Sequence, residues 1–179
     1  MNDSSDDNAR PNDSRRRFPK RWGVAIALLL VLGTSLFTIR IVMGRQMPTH
    51  RLGLIDGKLA PCPDSPNCVT TAPGAGDKSM EPLQFTGTVD EALDRLETIA
   101  RTFPRTRVVS RTDRYLHIEF RSWLFRFVDD VEFHIPPDQE ADRPLRIDFR
   151  SASRTGYSDL GVNRKRMTQF ASRFSASTD

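Results

Sequence analysis

"YLHIEFR", residues 115–121, is the stretch that decides the fold class of this chain. Leu116, Ile118 and Phe120 recur at every second position, with Tyr115, His117, Glu119 and Arg121 between them. Side chains of an extended chain alternate between two faces, so a period of two reads as a strand with one apolar and one polar side. His117 falls on the polar side, where a sheet-surface histidine is the simpler reading than a ligand.

The pattern continues outward. In "SWLFRFVDDVEFHI", residues 122–135, Val131, Phe133 and Ile135 alternate with Glu132 and His134, and Asp129–Asp130 interrupts the run. If Phe127 and Val131 share a face, Asp129 lies on the apolar side and needs an arginine partner or a raised pKa. The other reading is a hairpin turn over Val128–Asp130 that exposes both aspartates. After a proline-bounded loop, Pro136–Pro144, "LRIDFRSAS" sends Leu145, Ile147 and Phe149 inward and Arg146, Asp148 and Arg150 outward. Arg150 and Asp148, across a strand from Glu132 or Arg121, would then make ordinary cross-strand pairs. On the N-terminal side, "RVVS" at 107–110 is a short strand.

Two segments change period. "TVDEALDRLETIAR", residues 88–101, places Val89, Ala92, Leu93, Leu96, Ile99 and Ala100 at helical spacing, and Thr88 with Glu91 forms a capping box. From Asn163, the residues Met167, Phe170, Ala171 and Phe174 form a second apolar stripe, with Asn163 or Ser158 as its cap. The expected fold is α+β: a mostly antiparallel sheet with two helices, 88–101 and 163–174, packed on one face. At most five strands are expected, near 52–55, 107–110, 115–121, 124–135 and 145–151. Leu52, Leu54 and Ile55 would anchor the first of them, ahead of a turn at "IDGK".

A single transmembrane helix precedes this domain. "WGVAIALLLVLGTSLFTI", residues 22–39, is 18 residues without a charge, about 27 Å of helix against a hydrocarbon core of about 30 Å. The span extends to residue 43 if Arg40 reaches the headgroups. "TIRIVMGRQM" lacks the small residues of a cleavage site, so an uncleaved anchor is expected rather than a signal peptide. Six cations before the helix (Arg10, Arg15, Arg16, Arg17, Lys20, Arg21) face four after it (Arg40, Arg45, Arg51, Lys58). That bias places the N-terminus in the cytoplasm and the C-terminal domain outside an inner membrane, in the periplasm of a bacterium. The organisation expected is a disordered basic tail at 1–21, the helix at 22–43, a linker at 44–51, a globular domain at 52–174 and a flexible end at 175–179.

The pI of 9.5 does not describe that domain. Residues 1–45 hold eight basic and four acidic side chains, the whole net charge of +4, and residues 46–179 hold 19 of each. Basicity belongs to membrane orientation, and nucleic acid is not an expected partner. The bilayer, met through residues 22–43, is; protein partners have no signal in the sequence. Arginine outnumbers lysine 23 to 4, which reflects base composition or supplies planar forks for carboxylate and phosphate.

"PCPDSPNC" carries both cysteines, Cys62 and Cys68, beyond the membrane. A structural disulfide in an oxidising compartment is the leading reading, with free thiols or half a metal site as the others. The spacing is not that of a thioredoxin-type pair. "SASRTGYSDLGVNRKR", residues 151–166, is the other unusual segment. Arg164, Lys165 and Arg166 crowd the start of the last helix, against its dipole. A bound anion would relieve this, and so would an internal partner, Asp129, Asp130 or Asp159.

Two function classes follow. The first is an envelope binding or structural module for an anionic or polar small molecule, its site drawn from Arg150, Arg154, Tyr157, Asp159, Asn163 and Arg164 with Asp129 and Asp130. In its purely structural form these groups are one closed network. The second is an enzyme using Asp129, Asp130 or Glu132 as acid, base or hard-cation ligand, with Arg154 and Arg164 as anion clamps. No nucleophile–histidine–acid set or phosphate loop is present, no cofactor is expected, and His50, His117 and His134 have no metal-ligand spacing.

"LGLIDGKLAPCPDSPNCV", "FRFVDDVEF" and "RSASRTGYSDLGVNRKR" together resemble the DUF1499 family, whose function is uncharacterised. The resemblance runs from about Leu52 to Phe174. It implies a two-cysteine opening at Cys62 and Cys68, a strand at Asp129–Phe133, and a linked motif at Arg150–Gly156 and Asp159–Arg164. It implies no activity.

Overall fold

A computed structural model describes residues 20–43, 48, 50–139 and 143–176. Residues 1–19 of the tail expected at 1–21, linker residues 44–47 and 49, residues 140–142 and the last three residues lie outside them, and Lys20 and Arg21, expected in that tail, belong to the first helix. Helix α1 (Lys20–Met43) has 24 residues, and its side chains from Trp22 to Val42 are exposed on every side. Among the described residues this is the one helix long and apolar enough to cross a membrane, consistent with a single membrane-spanning segment.

The domain is α+β. Its main sheet runs in the order β3 (Cys68–Thr70), β8 (Leu145–Ser153), β7 (Val128–His134), β6 (Tyr115–Arg121), β5 (Thr106–Arg111), and β4 (Leu83–Phe85) also pairs with β8. All these pairings are antiparallel. A two-residue hairpin, β1 (Leu54–Ile55) and β2 (Lys58–Leu59), stands apart. Its turn has φ of 50° at Asp56 and 76° at Gly57, the twist that a tight hairpin requires and that the "IDGK" sequence supplies.

Helices α2 (Val89–Arg101) and α3 (Val162–Ala176) cover one face. The capping box forms as expected: the Glu91 amide donates to Thr88 Oγ1 at 3.3 Å, and the Thr88 amide to Glu91 Oε2 at 2.8 Å. Leu93, Leu96, Phe170 and Phe174 pack on Leu116, Ile118, Phe133 and Phe149 in one core. Phe133 and Phe170 rings lie 4.9 Å apart.

Several expectations are corrected. Among the described residues there are eight strands, not five, because Cys68–Thr70 and Leu83–Phe85 are too short to carry a period and 52–55 becomes a hairpin. The turn is not at Val128–Asp130: β7 is continuous from Val128, and the connection is 122–127, where Leu124, Phe125 and Phe127 are exposed. The Asp129–Asp130 pair is therefore an ordinary alternation, one aspartate to each face. Leu54 is exposed and anchors nothing. Asn163 is buried one residue inside α3, and neither it nor Ser158 is the cap. The largest departure concerns the polar face, which is as buried as the apolar one: Arg150 is 1% exposed, and Glu119, Asp130 and Glu132 are buried with it.

Candidate functional site

The polar face is roofed by residues 50–61, the strap that follows the membrane linker. Register places Glu132 opposite Arg150. Arg150 donates from Nε and Nη2 to Glu132 Oε2, at 2.9 and 2.6 Å. Its remaining N–H groups reach the backbone oxygens of Pro61 at 3.0 Å and Arg51 at 2.6 Å. Glu132 Oε1 accepts from the Tyr115 hydroxyl and from the Gly53 amide, both at 2.6 Å. A buried guanidinium is tolerated only when its fork is fully paired, and here the strap supplies the pairing. Burial and the bond to Glu132 push the Tyr115 phenol far above its ordinary range.

A second cluster adjoins it. Arg154 donates from Nε and Nη2 to the two oxygens of Asp130, at 2.9 and 2.7 Å, and from Nη2 to Glu119 Oε1 at 2.6 Å. His117 Nε2 sits 2.8 Å from Asp130 Oδ1. Glu119 Oε2 also accepts from Arg107 at 3.0 Å and Arg121 at 3.1 Å. Burial drives the Asp130 carboxyl up, but bonds from Arg154 and His117 and the approach of His50 outweigh it and hold it far below the carboxylate range. Glu119 shows the same balance, burial against three arginines, with a lowered result. The bond to Asp130 leads the causes that raise Arg154. His50, on the strap, places Nε2 3.5 Å from Asp130 Oδ2. Among the described residues neither ring nitrogen of His50 has a hydrogen-bond partner.

Asp129, on the helix face, accepts from Ser153 Oγ at 2.6 Å and Arg166 Nη2 at 2.5 Å. Of the two sequence readings, the arginine partner is the one found. Asn163 Oδ1 accepts from Ser151 and Arg166, both at 2.6 Å, while its Nδ2 donates to Ser153 Oγ and the Asn67 carbonyl, both at 3.0 Å. Asp159 caps α3, accepting from the Asn163 amide at 2.7 Å and the Gly161 amide at 3.0 Å. An internal carboxylate thus occupies the helix N-terminus. Arg164 donates to the carbonyls of Ser79, at 3.2 Å, and Asp77. Tyr157 is 79% exposed.

The sheet therefore separates the sequence-predicted residues. Arg150, Arg154 and Asp130 lie under the strap, while Asp129 and Asn163 lie beneath the helices. Asp159, Arg164 and Tyr157 lie about the start of α3. The cysteines are bonded, Cys62 to Cys68 with Cα atoms 5.8 Å apart. Asn67 ties that loop to the 151–166 segment, donating from Nδ2 to the Gly156 carbonyl at 2.6 Å. Among the described residues no three His, Cys, Asp or Glu side chains converge as metal ligands.

A cavity of about 370 Å³ opens at the other end of the polar face, between the β1–β2 hairpin, the Thr70–Pro73 turn and the loop after β7. His134 lies in its wall beside Asp148 and Thr71. Asp148 accepts from Thr71 Oγ1 and Arg146 Nε, both at 2.9 Å. His134 is 4% exposed. Burial lowers its pKa, Asp148 opposing and Arg114 assisting, so the ring is neutral at pH 7. Sequence reasoning passed over His50, His117, Glu119, Tyr115 and His134. The available signal was ionisable residues at alternate positions on three consecutive strands, but solvent would account for them equally well until something is known to cover the face.

Residues 58–174 match the family described as Protein of unknown function (DUF1499), well over half of the 179-residue chain, and the chain belongs to that family. A search of the curated proteins found no match.

Proposed function

We propose that this member of the DUF1499 family is a membrane-anchored binding module of the cell envelope, with its N-terminus in the cytoplasm and its domain outside. Its ligand is a small polar molecule held in the cavity at His134. The observation that carries this is the imidazole of His134, largely buried and with its pKa lowered by that burial, in the wall of a cavity of about 370 Å³. Ligand sites occupy clefts of about 300–1,000 Å³ with a few placed polar groups. The charged network beside it serves as the rigid base of that cavity. Arg150, Arg154, Asp129 and Asp130 are consumed by internal pairs and have little capacity for a ligand of their own.

The acid–base alternative draws no support from these contacts. Asp129, Asp130 and Glu132 each accept from an arginine and at least one further donor, and Asp130 in particular is too weak a base to exchange protons near pH 7. Native mass spectrometry of the full chain, extracted from its envelope in mild detergent, tests the binding reading. Wild type should carry a co-purifying small molecule, and His134→Leu should lose it while unfolding at a similar denaturant concentration. Equal occupancy in the two proteins, or none in either, would overturn it.

A further inference from the structure

We propose that the end of the sheet opposite the His134 cavity docks on an anionic phospholipid surface, with Trp123 at the headgroup level. Antiparallel register brings the end of β6, the start of β7 and the end of β8 together: Arg121 pairs with Val128, and Asp129 with Ser153. The two segments that leave this end carry the exposed apolar side chains of the region. One is the 122–127 connection, with Trp123 at 65% exposure and Leu124, Phe125 and Phe127 also exposed. The other is the turn into α3, with Tyr157, Val162 and Leu160, the last 93% exposed. A soluble surface rarely gathers this many large apolar groups at one end, whereas a bilayer interface favours them, Trp and Tyr above all.

The charge around them fits anionic headgroups. Arg105, Arg107, Arg121 and Arg126 gather beside Trp123 around one depression. Arg107 and Arg121 share the Glu119 carboxylate with Arg154. Arg126 has no ion pair among the described residues, and Arg105 donates only to the Arg121 carbonyl, at 3.1 Å. Positive charge is in excess there, and each such residue near an anionic surface adds about 1 kcal/mol of attraction.

The course of the strap gives the third argument. It passes Asp130 at His50, Glu132 at Gly53 and the His134 cavity at Asp56–Lys58. It runs along β7 away from the aromatic end, so the chain enters the domain at that end. Six residues, 44–49, join α1 to His50, a reach of at most about 25 Å. Such a tether raises the local concentration of bilayer enough for a weak interfacial contact to be occupied. This docking is independent of what the cavity binds.

The chain has two tryptophans, Trp22 and Trp123, so Trp22→Phe leaves Trp123 as the sole reporter. The full chain carrying that change is reconstituted into vesicles of neutral or anionic phospholipid, with and without brominated acyl chains. We expect Trp123 emission to be blue-shifted, to lose most of its intensity to brominated lipid in anionic vesicles, and to resist iodide in the buffer. Emission quenched by iodide and untouched by brominated lipid overturns the proposal. Resistance to both also overturns it, since a second copy of the chain or another protein then covers the patch. Arg105→Glu with Arg126→Glu, checked for folding by circular dichroism, should bring quenching in anionic vesicles down to the neutral-vesicle level. Unchanged quenching would rule out the anionic headgroup as the partner.

Discussion

The two faces of one sheet are buried by opposite means. Beneath the helices, Phe133 and Phe149 meet across β7 and β8; one residue along, on the other face, Glu132 meets Arg150. Both pairs are withdrawn from water. The apolar face needs only area and shape, and α2 and α3 provide them. The ionic face needs every lone pair and N–H answered, which strand neighbours alone cannot do. The backbone of Arg51, Gly53 and Pro61 completes it. An apolar core tolerates approximate partners, whereas a buried ionic one depends on a particular lid.

The strongest way to break this comparison is to truncate one side chain on each face. Phe133→Ala should cost about 3–5 kcal/mol through its cavity, and Arg150→Met a similar amount by stranding Glu132. The faces should part in the second step. Adding Glu132→Leu to Arg150→Met should recover much of the loss, while adding Phe149→Ala to Phe133→Ala should deepen it. Denaturant unfolding of the full chain in detergent measures all four. If Arg150→Met alone cost less than about 1 kcal/mol, the polar face would behave as a wet surface.

A smaller effect is expected at the edge where the faces meet. Cys68 pairs with Ala152 on the strap side, and neighbouring Asn67 holds Asn163 on the helix side. Replacing both cysteines by serine opens a short loop and should cost about 2 kcal/mol by chain entropy. Amide exchange should rise on both sides of β3. Exchange confined to residues 61–68 would show that the loop does not couple the faces.

The smallest effect sharpens the electrostatic contrast. The pKa of folded His134 lies below that of the unfolded chain, near 6.5. As pH falls below about 6.5 the unfolded state takes the proton first, so the stability His134 lends above that pH is lost as pH falls through its folded pKa. His134→Asn should flatten the stability profile in that window, with Phe133→Ala keeping the wild-type slope. The Asp130 contribution, held low by Arg154 and His117, persists down to about pH 4 and disappears only below it.

Much of the fold was legible because its periods are local. YLHIEFR and LRIDFRSAS alternate, TVDEALDRLETIAR repeats at three and four, and each identified its element and its apolar side. The Cys62–Cys68 bond was likewise readable from spacing and compartment. β3 and β4 escaped because three residues carry no period and depend on the β8 edge for their hydrogen bonds. Asp129–Asp130 looked like a turn because two adjacent carboxylates suit solvent, and only Arg166 on one face and Arg154 on the other make a strand possible there. Arg164 read as an anion clamp, yet it reaches the carbonyls of Asp77 and Ser79, more than 80 residues away in sequence.

By itself the sequence determined the membrane span, the helices, the main strands and which side of each strand is apolar, because hydrophobic period and helix capping are properties of neighbouring residues. Tertiary structure alone decided that the polar side is buried too, since that depends on where the strap from His50 to Pro61 returns. It also decided that the candidate arginines and aspartates divide among three places, and that a cavity is left beside His134. Pairing, burial and empty space arise between segments distant in the chain, and no local pattern encodes them.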